Sequence, residues 1–227
     1  MSRVFWLGCL GALLYSSWPL GYALNPQVSH NELASMLEAP HQPFNWVFMG
    51  SDVLTGIVIS VVAYLQLSKI KTRNLAKYGI FFYWLFAALV ALAALSKINC
   101  DPALQQCGSL IRHPIIIVHG FASISSVVAL LACMLLLTKA VYAQQVSGLI
   151  RLAHQVVLLA WLFFGVASLI ELVFHIRNNA LQHYFITICG LSIVSCIFII
   201  EYLQTDRPGR LNQTAALASK IKNAGGE

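Results

Sequence analysis

Six long apolar segments constrain the fold of this chain more than any other feature of its sequence. Each holds about 20 residues with few charges, the length that an α-helix needs to cross a hydrocarbon core of about 30 Å. They lie at residues 4–22, 44–67, 78–95, 114–137, 152–174 and 184–203. The sequence therefore predicts an all-α fold: one domain over 1–227, a polytopic six-transmembrane-helix bundle with a basic tail at 204–227.

The composition supports this fold class and excludes others. Only 10% of the 227 residues are charged, whereas a soluble domain usually has about 25%. A soluble enzyme or a disordered chain needs more polar surface, and strands of an outer-membrane barrel alternate apolar and polar residues. No nucleic-acid motif is present, so the predicted partners are membrane lipids and no nucleic acid. The sequence leaves homo-oligomer formation and protein partners open.

Two segments near the amino terminus need separate interpretation. The first apolar segment follows Arg3 and resembles a cleavable signal peptide, but its apolar and aromatic residues continue through Trp18 and Leu20, which favours a retained span. The longest connecting segment, 23–43, is predicted to hold one short amphipathic helix at 29–37.

The basic residues predict the orientation of the bundle. If the amino terminus is cytoplasmic, 11 of the 14 Lys and Arg residues fall on the cytoplasmic side. Cytoplasmic loops of membrane proteins carry such an excess. We therefore expect both termini to be cytoplasmic and the protein to be a multi-pass protein of the inner (plasma) membrane.

Two cysteines fit the same orientation. Cys100 and Cys107 lie in the predicted outer segment between the third and fourth spans. An oxidising compartment favours a disulfide there, and two thiols with six residues between them do not have a zinc spacing. We predict a Cys100–Cys107 disulfide.

Ionisable side chains inside a membrane are costly, so their positions are informative. Most of them fall in the predicted outer half of the bundle, on helix faces that also carry small and hydroxyl residues. They are expected to line an outward-facing polar pocket built from Ser51, Asp52, His113, His119, Ser123, Glu171, His175 and His183.

Four interpretations of this pocket remain open. The one we adopt is binding of a lipid headgroup or small solute, in transport or in a lipid-handling accessory role. The second is a metal-dependent hydrolase acting on lipid, with zinc held by His119, His175 and His183. The third is a structural hydrogen-bond network that pairs Asp52 with a histidine and Glu171 with His175. The fourth is haem ligation by His119 with His175 or His183.

Four short motifs resemble the bacterial membrane family known as "domain of unknown function 998". They are Leu-Leu-Tyr-Ser-Ser-Trp-Pro-Leu-Gly at 13–21, Ser-Asp-Val-Leu-Thr-Gly at 51–56, Cys-Asp-Pro at 100–102 and His-Gly-Phe-Ala at 119–122. The resemblance covers nearly the whole chain. It implies six helices and a polar motif on the outer side, without an established activity.

A more remote similarity links the chain to the alkaline ceramidase and adiponectin-receptor superfamily. That superfamily combines Ser, Asp and three His at a zinc site, and Ser51, Asp52, His119, His175 and His183 have the same chemistry. The chain departs from it in helix count, six instead of seven, and lacks a His-x-x-x-His pair in a late helix.

Overall fold

A computed structural model describes residues 2–24, 37–39, 42–70, 74–96, 114–144, 146–173 and 180–205. These residues form helices and no strand. The helices are α1 (Arg3–Tyr15), α2 (Trp18–Leu24), α3 (Asn45–Leu67), α4 (Asn74–Leu95), α5 (Pro114–Ala143), α6 (Gly148–Val173) and α7 (Ala180–Thr205).

The six predicted spans are confirmed as helices that are long and apolar enough to cross a membrane. Several extend beyond the predicted bounds. The longest, α5, has 30 residues and is therefore about 45 Å long at 1.5 Å per residue. The chain is a membrane-type helical protein. The cytoplasmic location of its termini stays a prediction, and residues 206–227 of the predicted tail lie outside the described part.

The first span is not one uninterrupted helix. It breaks at Ser16 and Ser17, and α2 resumes at Trp18. Pro19 explains the break, because proline has no N–H to donate to the carbonyl of Tyr15 and its ring would collide with that carbonyl in a continuous helix. Proline is tolerated in the first turn of a new helix, which is where Pro19 lies in α2.

Five of the six spanning helices close into a ring, and the remaining one, α6, lies outside it. Around the ring, α1 packs against α3, α3 against α4, α4 against α5, α5 against α7, and α7 against α1. Helix α6 packs mainly against α7 and less against α5. Only 11% of its spanning window is buried, against 28–50% for the other five, so most of its apolar surface is available to lipid.

Polar contacts hold α1 in the ring. The Ser51 hydroxyl donates to the Leu14 carbonyl at 2.7 Å, and the Thr55 hydroxyl donates to the Gly11 carbonyl at 3.3 Å. At the other end of α1, the Ser2 backbone N–H donates to the Glu201 carboxylate of α7 at 3.3 Å. These bonds fix the first helix against both of its ring partners.

The two ends of the bundle differ in charge. The described Lys and Arg side chains all lie where α1, α4 and α6 begin and where α3 and α5 end; they are Arg3, Lys69, Lys77, Lys139 and Arg151. We call this the basic end. The positive-inside rule predicts that this end is cytoplasmic.

Candidate functional site

A cavity of about 190 Å³ lies inside the ring, at the end opposite the basic end. Every ring helix, α2 and a short turn at Leu37–Glu38 contribute to its wall, whereas no lining residue among those described comes from α6. The lining residues are Tyr15, Ser17, Trp18, Leu37, Glu38, Phe48, Asp52, Val90, Ala93, Ala94, His119, Ser123, Ser126, Val127, Gln182, Phe185 and Ile186.

Two carboxyl groups meet in the wall of this cavity. Asp52 comes from the second turn of α3, and a side-chain hydrogen bond joins it to Glu38. An ionised carboxylate can only accept hydrogen bonds, so a bond between two carboxyl groups requires a proton on one of them. The pair therefore holds at least one proton in this arrangement.

The turn that carries Glu38 is anchored from both sides. The Asn45 side-chain amide donates to the Ala39 carbonyl at 3.1 Å, and the Gln42 backbone N–H donates to the same oxygen at 2.9 Å. Leu37 is buried against Gly21 of α2, where an added Cβ would lie only 2.4 Å from the Leu37 side chain. These contacts hold Glu38 over the cavity.

His119 presents one ring nitrogen to a backbone carbonyl. Its Nδ1 lies 2.9 Å from the Ala93 oxygen of α4. Because a carbonyl only accepts, Nδ1 carries the proton, and the neutral ring offers Nε2 as an acceptor. Within the described part of the chain, Nε2 has no hydrogen-bond partner. The side chain is 9% exposed and lines the cavity.

Aromatic side chains complete the wall. The Tyr15 ring packs edge-on against Phe86, with 5.6 Å between centroids. Trp18 stacks on His183 at 4.7 Å, and its indole N–H donates to the Thr187 hydroxyl at 3.3 Å. The break before α2 is what brings Trp18 to this position.

The structure brings together part of the predicted site. Asp52, His119 and Ser123 line the cavity. His183 is buried behind Trp18 and does not line it. His113 and His175, like the predicted disulfide between Cys100 and Cys107, lie outside the described residues.

Ser51 and Glu171 are placed away from the cavity lining, and each has a structural partner. The Ser51 hydroxyl faces the Leu14 carbonyl. The Glu171 carboxylate accepts hydrogen bonds from the backbone N–H groups of Leu181 and Gln182 in the first turn of α7. A carboxylate is favourable at that position because the first N–H groups of a helix lack partners within the helix and carry partial positive charge.

Sequence reasoning missed several polar or aromatic residues of the cavity, among them Glu38, Tyr15, Trp18 and Gln182. For Tyr15 and Trp18 a signal existed in Pro19, since a helix break inside a span often marks a binding site lined by irregular backbone. For Glu38 no signal existed. The loop before α3 also contains Glu32, and nothing in the sequence indicates which of the two glutamates lies against the helices.

The described side chains do not form a metal site. No group of three or more His, Cys, Asp or Glu residues is arranged to hold a metal ion in the part of the chain that the structure describes. Of the three histidines considered for zinc, His119 and His183 are described, and only His119 lines the cavity.

Comparison with known proteins places the chain in a family. Searches of curated proteins and of solved structures found no match, so the remote similarity to the ceramidase and adiponectin-receptor superfamily rests on its residues alone. A family model described as "Protein of unknown function (DUF998)" matches residues 9–199. This match begins within the first apolar helix and ends within the sixth, and it confirms the resemblance carried by the four short motifs. The chain belongs to the DUF998 family.

Proposed function

We propose that this protein is a membrane-embedded binding protein whose cavity takes a lipid headgroup or a small solute. One observation carries the proposal: a cavity of about 190 Å³ inside the helix ring has Asp52, Glu38 and His119 in its wall. Polar groups at membrane depth are costly and usually pair with one another or mark a substrate path. Here they border open space.

The size of the cavity limits the ligand. The cavity has a volume of about 190 Å³. Pockets that enclose drug-sized ligands measure about 300–1,000 Å³. The cavity therefore suits a headgroup or a solute of a few heavy atoms. Any acyl chains of a lipid ligand would lie outside the ring, along the apolar helix surfaces.

The polar residues of the cavity wall favour ligand binding over a purely structural role. A purely structural network closes around its groups, because each unpaired buried group costs about 1–3 kcal/mol. His154 of α6 is such a case, with partners on both ring nitrogens. His119 has a partner on one nitrogen and open space beside the ring. A ligand that donates a hydrogen bond would satisfy the second nitrogen.

Adjacent valines in α5 provide a matched test. Val127 lines the cavity, whereas Val128 is exposed on the outer surface of the bundle. In Val127→Phe the ring occupies part of the cavity, while Val128→Phe adds the same bulk outside it. We expect native mass spectrometry of the detergent-purified protein to find a bound small molecule or lipid in wild type and Val128→Phe, and to find it lost in Val127→Phe.

Two outcomes would contradict the proposed function. One is equal retention of the same species by all three proteins, which would place the species on the outer surface. The other is the lack of any bound species together with a wild-type melting temperature that no member of a panel of headgroup-sized amines, alcohols and phosphates raises. That result would assign the cavity to packing alone.

A further inference from the structure

We infer that the ligand of this cavity carries hydroxyl groups, as a polyol or a sugar does. The inference rests on the proposed function and adds the chemical class of the ligand. It comes from side chains of the cavity wall whose polar atoms lack hydrogen-bond partners, and from the aromatic rings beside them. The charge of the Asp52–Glu38 pair does not enter, because carboxyl oxygens accept hydrogen bonds from hydroxyl groups in either protonation state.

Three hydroxyl groups of the cavity wall have no hydrogen-bond partner among the described residues. They belong to Tyr15 at the end of α1, to Ser17 in the break before α2, and to Ser123 of α5. All three side chains are partly accessible, and all three line the same cavity. Each hydroxyl can donate one hydrogen bond and also accept.

Hydroxyl groups of the helices away from the cavity often have partners within the bundle. The Tyr83 hydroxyl donates to the Ile193 carbonyl at 3.4 Å, and the Thr138 hydroxyl donates to the Met134 carbonyl at 2.8 Å. Such pairing is favourable because an unpaired buried polar group is costly. The unpaired hydroxyls of the cavity wall are therefore available to a ligand.

His119 adds an acceptor to these hydroxyl groups. Its Nδ1–H donates to the Ala93 carbonyl, so Nε2 of the neutral ring accepts. The side chain is nine-tenths buried, and Nε2 has no partner among the described residues. His119 and Ser123 lie one turn apart on α5 and both line the cavity. The wall thus combines a group that only accepts with groups that donate or accept.

A ligand hydroxyl matches this wall because it also donates and accepts. It can donate to Nε2 of His119 while it accepts from the hydroxyl of Tyr15 or Ser123. A carboxylate or a fully ionised phosphate only accepts, and would leave Nε2 without a donor. An ammonium group only donates, and could not accept from the hydroxyls. An apolar ligand would leave all of these groups unpaired.

Aromatic rings form the apolar part of the same wall. Trp18, Phe48 and Phe185 line the cavity beside the polar groups. Ligand pockets typically combine apolar and aromatic surface with a few polar groups that fix the orientation of the ligand. The C–H groups of a polyol or a sugar are apolar and can pack against these rings while its hydroxyl groups face the polar side chains.

Three probes of similar size test the inference on the full-length protein. Glycerol carries hydroxyl groups, pentylammonium only donates and butyrate only accepts. The protein is purified without glycerol, in a detergent whose headgroup has no hydroxyl group, because either would compete. We expect saturation-transfer NMR and thermal shift to show binding of glycerol. Binding of the other two should be at least about fivefold weaker, since each leaves buried groups unpaired.

Variants that remove single hydroxyl groups test the assigned residues. Tyr15→Phe keeps the ring and removes only the hydroxyl, and Ser123→Ala does the same for the second helix. Each should weaken glycerol binding about two- to tenfold, the cost of one neutral hydrogen bond. Tyr64→Phe is the matched control, because Tyr64 is exposed on the outer surface of α3. It should bind glycerol like wild type.

The source of the hydroxyl groups is read from membranes of defined composition. The protein is reconstituted in nanodiscs of phosphatidylglycerol mixed equally with phosphatidylserine, then released for native mass spectrometry. These two lipids have the same net charge, so attraction to the basic end does not distinguish them. Retained phosphatidylglycerol that Tyr15→Phe and Val127→Phe both lose assigns a lipid headgroup. Glycerol binding without lipid retention assigns a free polyol. Both results support the inference.

Failure of this inference is distinguishable from failure of the proposed function. Pentylammonium or butyrate binding as tight as that of glycerol, and lost in Val127→Phe, would overturn the hydroxyl assignment and leave the binding cavity. Glycerol binding unchanged in both Tyr15→Phe and Ser123→Ala would do the same, as would selective retention of phosphatidylserine that Val127→Phe loses. Binding of every probe and lipid that Val127→Phe does not alter would overturn both.

Discussion

At the residue scale, the two described histidines on α5 and α6 differ in the number of hydrogen-bond partners they have. Nε2 of His154 donates to the Met134 carbonyl at 3.2 Å, and its Nδ1 lies 2.7 Å from the Ser195 hydroxyl, which donates to it. The side chain is buried and ties α6 to α5 and α7. His119 has only the Ala93 carbonyl as a partner. The first histidine is a structural link, and the second borders the proposed binding site.

We predict that His154→Leu destabilises the protein. The change leaves the Ser195 hydroxyl without its partner, and an unpaired buried polar group costs about 1–3 kcal/mol. Thermal unfolding in detergent, followed by circular dichroism, should show a lower midpoint. The double variant His154→Leu/Ser195→Ala should recover part of the loss, because both polar partners are then gone. A midpoint equal to wild type for the single variant would contradict this role.

We also predict that Cys100 and Cys107 form a disulfide in the native protein. Their position between two spans on the predicted outer side places them in an oxidising compartment. Peptide mass mapping without reductant should find the two residues linked. Alkylation of both thiols in the unreduced, folded protein would show the prediction to be wrong.

At the element scale, close approach of α3 and α4 depends on one glycine. A Cβ at Gly56 would lie 2.7 Å from the Ala87 carbonyl oxygen and 2.7 Å from the Ala91 side chain. Small residues at such contacts let helix backbones approach closely in membranes. Because one of the two neighbours is backbone, the contact cannot relax without moving a helix, and both helices carry cavity residues.

Two glycines of α3 give a matched pair of variants. Gly56→Ala should lower the thermal midpoint, since overpacking of a core costs about 1–3 kcal/mol. Gly50→Ala, where nothing lies within 4 Å of the added Cβ, should be neutral or slightly stabilising, because alanine favours helix by about 0.5–1 kcal/mol. Equal midpoints for the two variants would contradict the close approach.

The sequence predicts which segments form helices better than it predicts which face of each helix is buried in the bundle. Continuous apolar segments identify the six spans, and Pro19 marks the break in the first. Asp52 and His119 were predicted to face the interior because polar groups avoid lipid. The peripheral position of α6 could not be predicted, since lipid and bundle interior are both apolar and hydrophobic periodicity does not distinguish them. Glu38 could not be predicted either, because its position depends on how the loop before α3 folds back.

At the scale of the whole molecule, the asymmetry between the ends implies an orientation in the membrane. Described cations gather at one end and the cavity opens among helices at the other. With the basic end cytoplasmic, the cavity belongs to the outer half of the bilayer. A ligand would then arrive from the outer leaflet or from the space outside the cell membrane.

Cysteine accessibility tests this orientation in intact cells. We predict that Asn74→Cys, at the start of α4, is shielded from a membrane-impermeant maleimide, whereas Ser96→Cys, just after the end of α4, is labelled. Both are made in a background with Cys100→Ser and Cys107→Ser, so that the outer-segment thiols do not contribute. Labelling of the first position and protection of the second would reverse the topology.

Ring closure by the first and last helices has a consequence for biosynthesis. Helix α1 enters the membrane well before α7, yet the two are neighbours in the ring. Until α7 arrives, the polar bonds from Ser2 to Glu201 cannot form, and the wall that Phe185 and Ile186 supply is missing. The wall of the cavity is therefore incomplete while only the earlier helices are inserted, and it closes when α7 joins the ring.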